Sequence, residues 1–148
     1  MKNDYIKGRG AQINPKNRYE KQSLSTEEFE ALDEKMELNT STQYFPEHAK
    51  KVINKVTSPD VPLDYSINPY KGCAHGCVYC YARNTHDNWS MSAGIEFESK
   101  ILYKENIAEL LRKELRHPKW EVKPIMFSGN TDCYQPIERK LKLTRQCL

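Results

Sequence analysis

Three cysteines within eight residues constrain this chain more than any other feature. Cys73, Cys77 and Cys80 lie in the run Gly72-Cys73-Ala74-His75-Gly76-Cys77-Val78-Tyr79-Cys80, a C-x-x-x-C-x-x-C spacing. For three sulfurs to converge on one centre the backbone must wrap tightly. Gly72 and Gly76 supply that freedom, because glycine takes positive φ without a Cβ penalty. Pro69, just upstream, stiffens the entry. Backbone N–H groups in such a turn can face an anionic centre. Soft thiolates suit zinc and iron–sulfur clusters. A closed structural zinc site takes four ligands, usually as two pairs, and no second pair is present. A cubane cluster has four irons, so three thiolates would hold three of them and leave one open to a ligand that is not protein.

Two other readings stand beside the cluster. His75 would complete a Cys3His zinc site, but it lies two residues from both Cys73 and Cys77, and chelation of one tetrahedral metal by such close neighbours is strained. A disulfide framework is disfavoured by the odd count of five cysteines and by an N-terminus, Met1-Lys2-Asn3-Asp4-Tyr5, without an apolar signal region. Unpaired thiols fit a reducing, cytoplasmic compartment.

The 148 residues are 38% hydrophobic and 29% charged, enough for one globular domain. No apolar run approaches the length needed to span a bilayer, so no membrane association is expected. The 23 basic and 20 acidic residues leave a formal net charge of +3, a weak argument for nucleic acid.

Residues 1–60 read as a polar, partly helical extension. Lys7-Gly8-Arg9-Gly10-Ala11 has the composition of a flexible tail or a phosphate contact. Ser25 and Glu28 form a capping box flanked by Leu24 and Phe29 as a staple, and Phe29, Leu32 and Met36 continue at helical spacing. Asn39 to Thr42 reads as a turn, and Glu47 to Lys55 as a weak helix.

From residue 61 the pattern changes to α/β. Leu63, Tyr65 and Ile67 alternate as a strand leading into the cysteine loop, with a helix expected within or after Cys77 to Tyr81. Ile95, Phe97, Ile101 and Tyr103 suggest another strand. Asn106 and Glu109 resemble a capping box ahead of a helix carrying Ile107, Leu110, Leu111 and Leu115, and Pro118 lies beyond its end. Residues 124–128 read as a buried strand, residues 129–132 as a turn, and residues 137–148 as a last helix. This order fits the opening of a parallel β/α barrel. Loops at the C-terminal ends of such strands build the active site, so the cysteine loop and the Ser128–Asp132 loop should open on one face. Two such units do not close a barrel, and the expectation is an N-terminal part of a longer protein.

The cysteine spacing, with Tyr79 as the aromatic residue before the third cysteine, resembles the signature of radical SAM (S-adenosylmethionine) enzymes. Asn68-Pro69-Tyr70-Lys71-Gly72, Tyr81-Ala82-Arg83, Thr131-Asp132 and Tyr134-Gln135-Pro136-Ile137-Glu138 are similar to the subgroup related to spore photoproduct lyase, often named DNA repair photolyases. The resemblance covers residues 61–148 and implies the N-terminal part of a partial (β/α)6 barrel.

It also implies a 4Fe–4S cluster on Cys73, Cys77 and Cys80, with SAM chelating the fourth iron. One electron from a flavodoxin- or ferredoxin-type reductant would cleave SAM to methionine and a 5′-deoxyadenosyl radical that abstracts hydrogen from a substrate, with DNA one candidate, in a lyase-type reaction. Tyr79 would line the adenine. Ser128, Gly129, Thr131 and Asp132 stand where many members carry a Gly-Gly-Glu-like motif for the SAM amino group, a pattern this chain departs from; the plain alternative is a turn closed by Asp132. Glu138 is placed to favour a helix start.

Cys133 is a candidate hydrogen donor, or a small buried thiol. His86 is a candidate substrate contact, or structural. A non-catalytic zinc module, and an electron carrier using Cys133 or Cys147 as fourth ligand, are the competing functions.

Overall fold

The computed structural model describes residues 5–19 and 41–148. The helix expected from the Ser25–Glu28 capping box lies outside the described residues. The rest is a mixed α/β arrangement of two short sheets and several short helices, and no closed barrel is formed among the described residues.

The first sheet has the order β1 (Gln43–Glu47), β5 (Lys100–Lys104), β4 (Tyr70–Lys71). β1 is parallel to β5, with Gln43 opposite Lys100, and β4 is antiparallel to β5. β1 contains Pro46 and occupies an edge, where a missing N–H leaves no gap in the ladder. The second sheet has the order β2 (Asn54–Lys55), β3 (Tyr65–Ile67), β6 (Ile125–Phe127). β2 is antiparallel to β3, whereas β3 and β6 are parallel, with Tyr65 opposite Ile125 and Ile67 opposite Phe127. The strands expected to lead into the cysteine loop and into the Ser128–Asp132 loop are therefore direct neighbours.

Among the described residues the helices are Tyr81–Trp89 (3-10), α1 (Ile95–Ser99), α2 (Ile107–Leu115), α3 (Glu138–Leu141) and α4 (Leu143–Cys147). The apolar core joins Ile67 and Tyr70 to Ile101, to Ile107 and Leu111 of α2, and to Leu143 of α4. Ile67 and Ile101 are completely buried, and each such side chain contributes about 1.5–3 kcal/mol through lost contact with water.

Several local expectations are corrected. Residues 47–55 form no helix. They hold the end of β1, a coil and β2, and the backbone N–H groups of Val52 and Ile53 donate to the carboxylate of Glu114 at 2.7 and 3.1 Å. Ile95 and Phe97 belong to a helix, not a strand; five residues are too few for alternation to separate the two. Asn106 makes no side-chain cap on α2. Its amide instead pairs with the backbone of Ala49, accepting from the N–H at 3.1 Å and donating to the carbonyl at 3.0 Å. The expected last helix is split at Lys142, whose φ of 54° is left-handed. No helix among the described residues is long and apolar enough to cross a membrane.

Candidate functional site

The cysteine loop leaves the C-terminal end of β3 through Asn68, Pro69 and β4. At its start Gly72 takes φ of +76°, and a Cβ there would lie 2.8 Å from the carbonyl oxygen of Phe97. Successive tight turns follow: Gly76 N–H donates to Cys73 O, Cys80 N–H to Cys77 O and Arg83 N–H to Cys80 O. All five cysteines are free thiols; Cys73 is buried, Cys77 exposed and Cys80 half-buried. Burial pushes the Cys73 thiol pKa up, partly offset by hydrogen bonds from the backbone at His75 and Asp132.

The donor set of three soft thiols suits a cluster. As positioned, however, no three His, Cys, Asp or Glu side chains among the described residues stand close enough to hold a metal ion. Tyr79 is 86% exposed.

Two charged side chains clasp this loop. Arg83 donates to Gly76 O at 2.9 Å, Cys77 O at 3.0 Å, Gly94 O at 3.1 Å and Ala93 O at 3.3 Å, and pairs with Glu98. Glu98, 1% exposed, also accepts from the backbone N–H groups of Gly10 at 2.9 Å and Ala11 at 2.7 Å. Gly76, at φ of +62°, has the Glu98 carboxylate where a Cβ would sit. Arg9 donates to Glu98 O and to Thr42 Oγ1, both at 2.9 Å.

The stretch read as a flexible tail is thus a strap. Ile95 N–H donates to Ile13 O, Glu96 N–H to Asn14 Oδ1, Ser92 Oγ to Pro15 O, and the Asn17 amide to the carbonyls of Asp87 and Met91. Its sequence signal was the Arg-Gly-Ala run, which composition alone does not distinguish from a tail.

The second loop leaves β6 at Ser128, whose N–H donates to Ile67 O at 2.9 Å and extends the parallel pairing. Ser128 has φ of 63°, and its buried Oγ has no hydrogen-bond partner. A left-handed non-glycine residue costs on the order of 1 kcal/mol. The two loops are joined repeatedly. Asn130 N–H donates to Asn68 Oδ1 at 3.0 Å, Thr131 Oγ1 to Tyr70 O at 2.8 Å, and Tyr81 OH to Gly129 O. His75 meets Asp132 at 3.0 Å.

Gln135, 1% exposed and given no role of its own from sequence, follows the second loop and holds the start of the cysteine loop. Its Oε1 accepts from Ala74 N–H at 3.2 Å and its Nε2 donates to Gly72 O at 3.1 Å. The structure therefore sets Asp132 against the cysteine loop at His75, Thr131 against its approach at Tyr70, Gly129 against Tyr81 just beyond it and Ser128 beside Ile67 at the end of β3.

The polar groups of that second loop are largely engaged. The Thr131 hydroxyl is spent on Tyr70, and Asp132 Oδ1 accepts from Tyr134 N–H at 2.7 Å, closing the turn. Cys133 is buried, with its carbonyl accepting from Thr144 Oγ1 at 2.8 Å. Glu138 accepts from Tyr70 OH and from Arg145 N–H at 3.2 Å, tying β4 to α4. Burial and the Glu138 carboxylate both push the Tyr70 phenol pKa up, so Tyr70 remains a donor. His86 is structural: it is fully buried, contacts the Lys100 carbonyl through Nε2 at 3.0 Å and meets Phe97 edge-on.

Over 95 residues the chain is 39% identical to an uncharacterized protein of Mycobacterium tuberculosis, an alignment covering 64% of this chain and 28% of that protein. Over 111 residues it is 34% identical to an uncharacterized protein of Methanocaldococcus jannaschii, covering 75% of this chain and 39% of that one. The chain thus spans well under half the length of these curated relatives. No protein-family model matches it, and no solved structure matches it.

Proposed function

We propose that this chain carries the cofactor-binding part of a radical SAM enzyme, built on the opening units of a partial (β/α)6 barrel. One observation carries the reading. A loop with three free cysteines leaves the C-terminal end of β3, a polar loop leaves the same end of its parallel neighbour β6, and the two are tied to each other. Active sites of parallel β/α folds form where such loops meet.

In this reading Cys73, Cys77 and Cys80 hold a 4Fe–4S cluster, and Tyr79, Ser128, Gly129, Thr131 and Asp132 surround SAM. When bound, this pair supplies reductive cleavage of SAM and hydrogen abstraction from a substrate, with the electron delivered by a small external reductant. The chain's own residues position the reactants. Arg83 and Glu98 fix the path of the cysteine loop, and Gln135 holds its start at Gly72 and Ala74. Asn68 and Tyr70 anchor Asn130 and Thr131 beside it. The unpartnered Ser128 hydroxyl is available to a ligand once the loops admit one.

Electron paramagnetic resonance of anaerobically reconstituted, dithionite-reduced protein tests the reading. The expected result is a reduced 4Fe–4S signal that changes on adding SAM and is lost in Cys73→Ala, Cys77→Ala and Cys80→Ala. A signal indifferent to SAM and dependent on Cys133 or Cys147 would establish an electron carrier instead. Zinc at one per chain with no cluster would overturn the reading outright.

A further inference from the structure

Beside the joined loops lies a cleft of about 830 Å³ that the proposed chemistry leaves unassigned. Ser66, Asn68, Met126, Gly129 and Thr131 form one wall, so the cleft is continuous with the site. Its charged lining consists of Lys50, Lys51, Lys55, Lys71 and Lys104 against Glu47. That is a surplus of four positive charges on a chain whose formal net charge is +3.

Two of these lysines are held in place rather than left to solvent. Lys104, at the end of β5, is 5% exposed. Burial pushes its pKa down, and the neighbouring charge of Lys71 pushes the same way, while Glu47 and Glu114 oppose. Lys71 is fixed between Glu47 Oε1 at 2.7 Å and the ring of Trp89, whose centroid lies 3.4 Å from Nζ. The other Glu47 oxygen is buried without a hydrogen-bond partner. Glu47 and Glu114 offset part of this charge, and the positive surplus that remains in the lining favours an entering anion.

We propose that this cleft binds a small phosphorylated molecule, with its phosphate held by Lys71 and Lys104 and its outer part met by Lys50, Lys51 and Lys55. As the substrate pocket of the enzyme it rests on the reading above; as an anion site it stands by itself. The volume lies within the range of about 300–1,000 Å³ typical of small-molecule sites. Five lysines line this single cleft, and the chain, at a formal net charge of +3, lacks the strong basic balance expected of a nucleic-acid footprint.

Isothermal titration of the cluster-free, SAM-free full chain with pyrophosphate at low salt tests the proposal. One binding site is expected, weakened roughly tenfold or more by Lys71→Gln and by Lys104→Gln and unaffected by Lys119→Gln. If Lys104→Gln fails to fold, Lys51→Gln combined with Lys71→Gln gives the same readout from accessible side chains. No pyrophosphate binding, or binding unchanged in the lysine variants, overturns the proposal. So does a single-stranded oligonucleotide that binds more tightly with a salt slope of several phosphates. Because neither cluster nor SAM takes part, failure here is distinct from failure of the resonance experiment.

Discussion

Replacing Glu98 by alanine isolates the physics that holds the cysteine loop. The side chain is 1% exposed and receives hydrogen bonds from Gly10 N–H, Ala11 N–H and the Arg83 guanidinium. Truncation leaves two part-buried amides without these acceptors, at about 1 kcal/mol each. It also leaves the Arg83 charge uncountered, although four backbone carbonyls still accept from it. Removing one partner of a buried ion pair costs about 3–5 kcal/mol. These contributions share groups and are not additive, so the expected loss is about 4 kcal/mol. For a chain of this length that is a fall in Tm of roughly 8–16 °C. Urea and thermal melts of Glu98→Ala, with Glu109→Ala on the exposed face of α2 as control, measure it. Thiol labelling of Cys77 and Cys80 in native buffer should accelerate in the same variant. A loss within about 1 kcal/mol of the control, or unchanged labelling, would refute the clasp.

Three further outcomes are expected. A Cβ on Gly10 would lie 1.8 Å from Gly76 O, so Gly10→Ala should displace the strap, costing about 1–3 kcal/mol and speeding hydrogen exchange at Ala11 and Ile95. Burial holds the His86 pKa below its ordinary 6.5, against the opposing Lys100 carbonyl. The unfolded chain therefore binds the proton first, so the His86 contribution is complete above pH 6.5 and is lost as pH falls through the lower folded value. Melts of the wild type and His86→Leu between pH 8 and 5 should show the steeper acid loss in the wild type; parallel curves would remove His86 as the cause. Burial pushes the Cys147 thiol up to about 11, so iodoacetamide at pH 8 should modify exposed Cys77 well before Cys147 in the folded chain.

The legible parts of this chain were those whose signal is local. The cysteine spacing is a contiguous run, and α2 announces itself through Ile107 and Leu111 on one face. Strand β3 was marked by the alternation of Leu63, Tyr65 and Ile67 and β6 by a short apolar run, and the placing of their loops at one end followed from chain connectivity. What stayed hidden depends on distant partners. Asn106 looks like a cap but bonds Ala49, 57 residues away. Glu98 sits in the mixed run Ile95-Glu96-Phe97-Glu98-Ser99 and gives no hint that it meets Gly10. β1 was not read from the sequence, and its Pro46 is compatible with a strand only at an edge, which the strand order alone reveals. The split of the last helix at Lys142 follows from contacts at Thr144 and Arg145 that no periodicity encodes.

The strap also has a consequence for the order in which the molecule is assembled. Gly10 and Glu98 are 88 residues apart, so their contact closes one of the longest loops in the chain and carries a correspondingly large entropic penalty. During synthesis Gly10 emerges first and must wait for Glu98 before it has anything to bind. Over that interval the segment bearing Cys73, Cys77 and Cys80 is already made, while its outer brace is not yet in place. On the proposed function, a centre would enter the loop before that brace forms, and the return of the N-terminal residues would then close over it, so that filling precedes fastening.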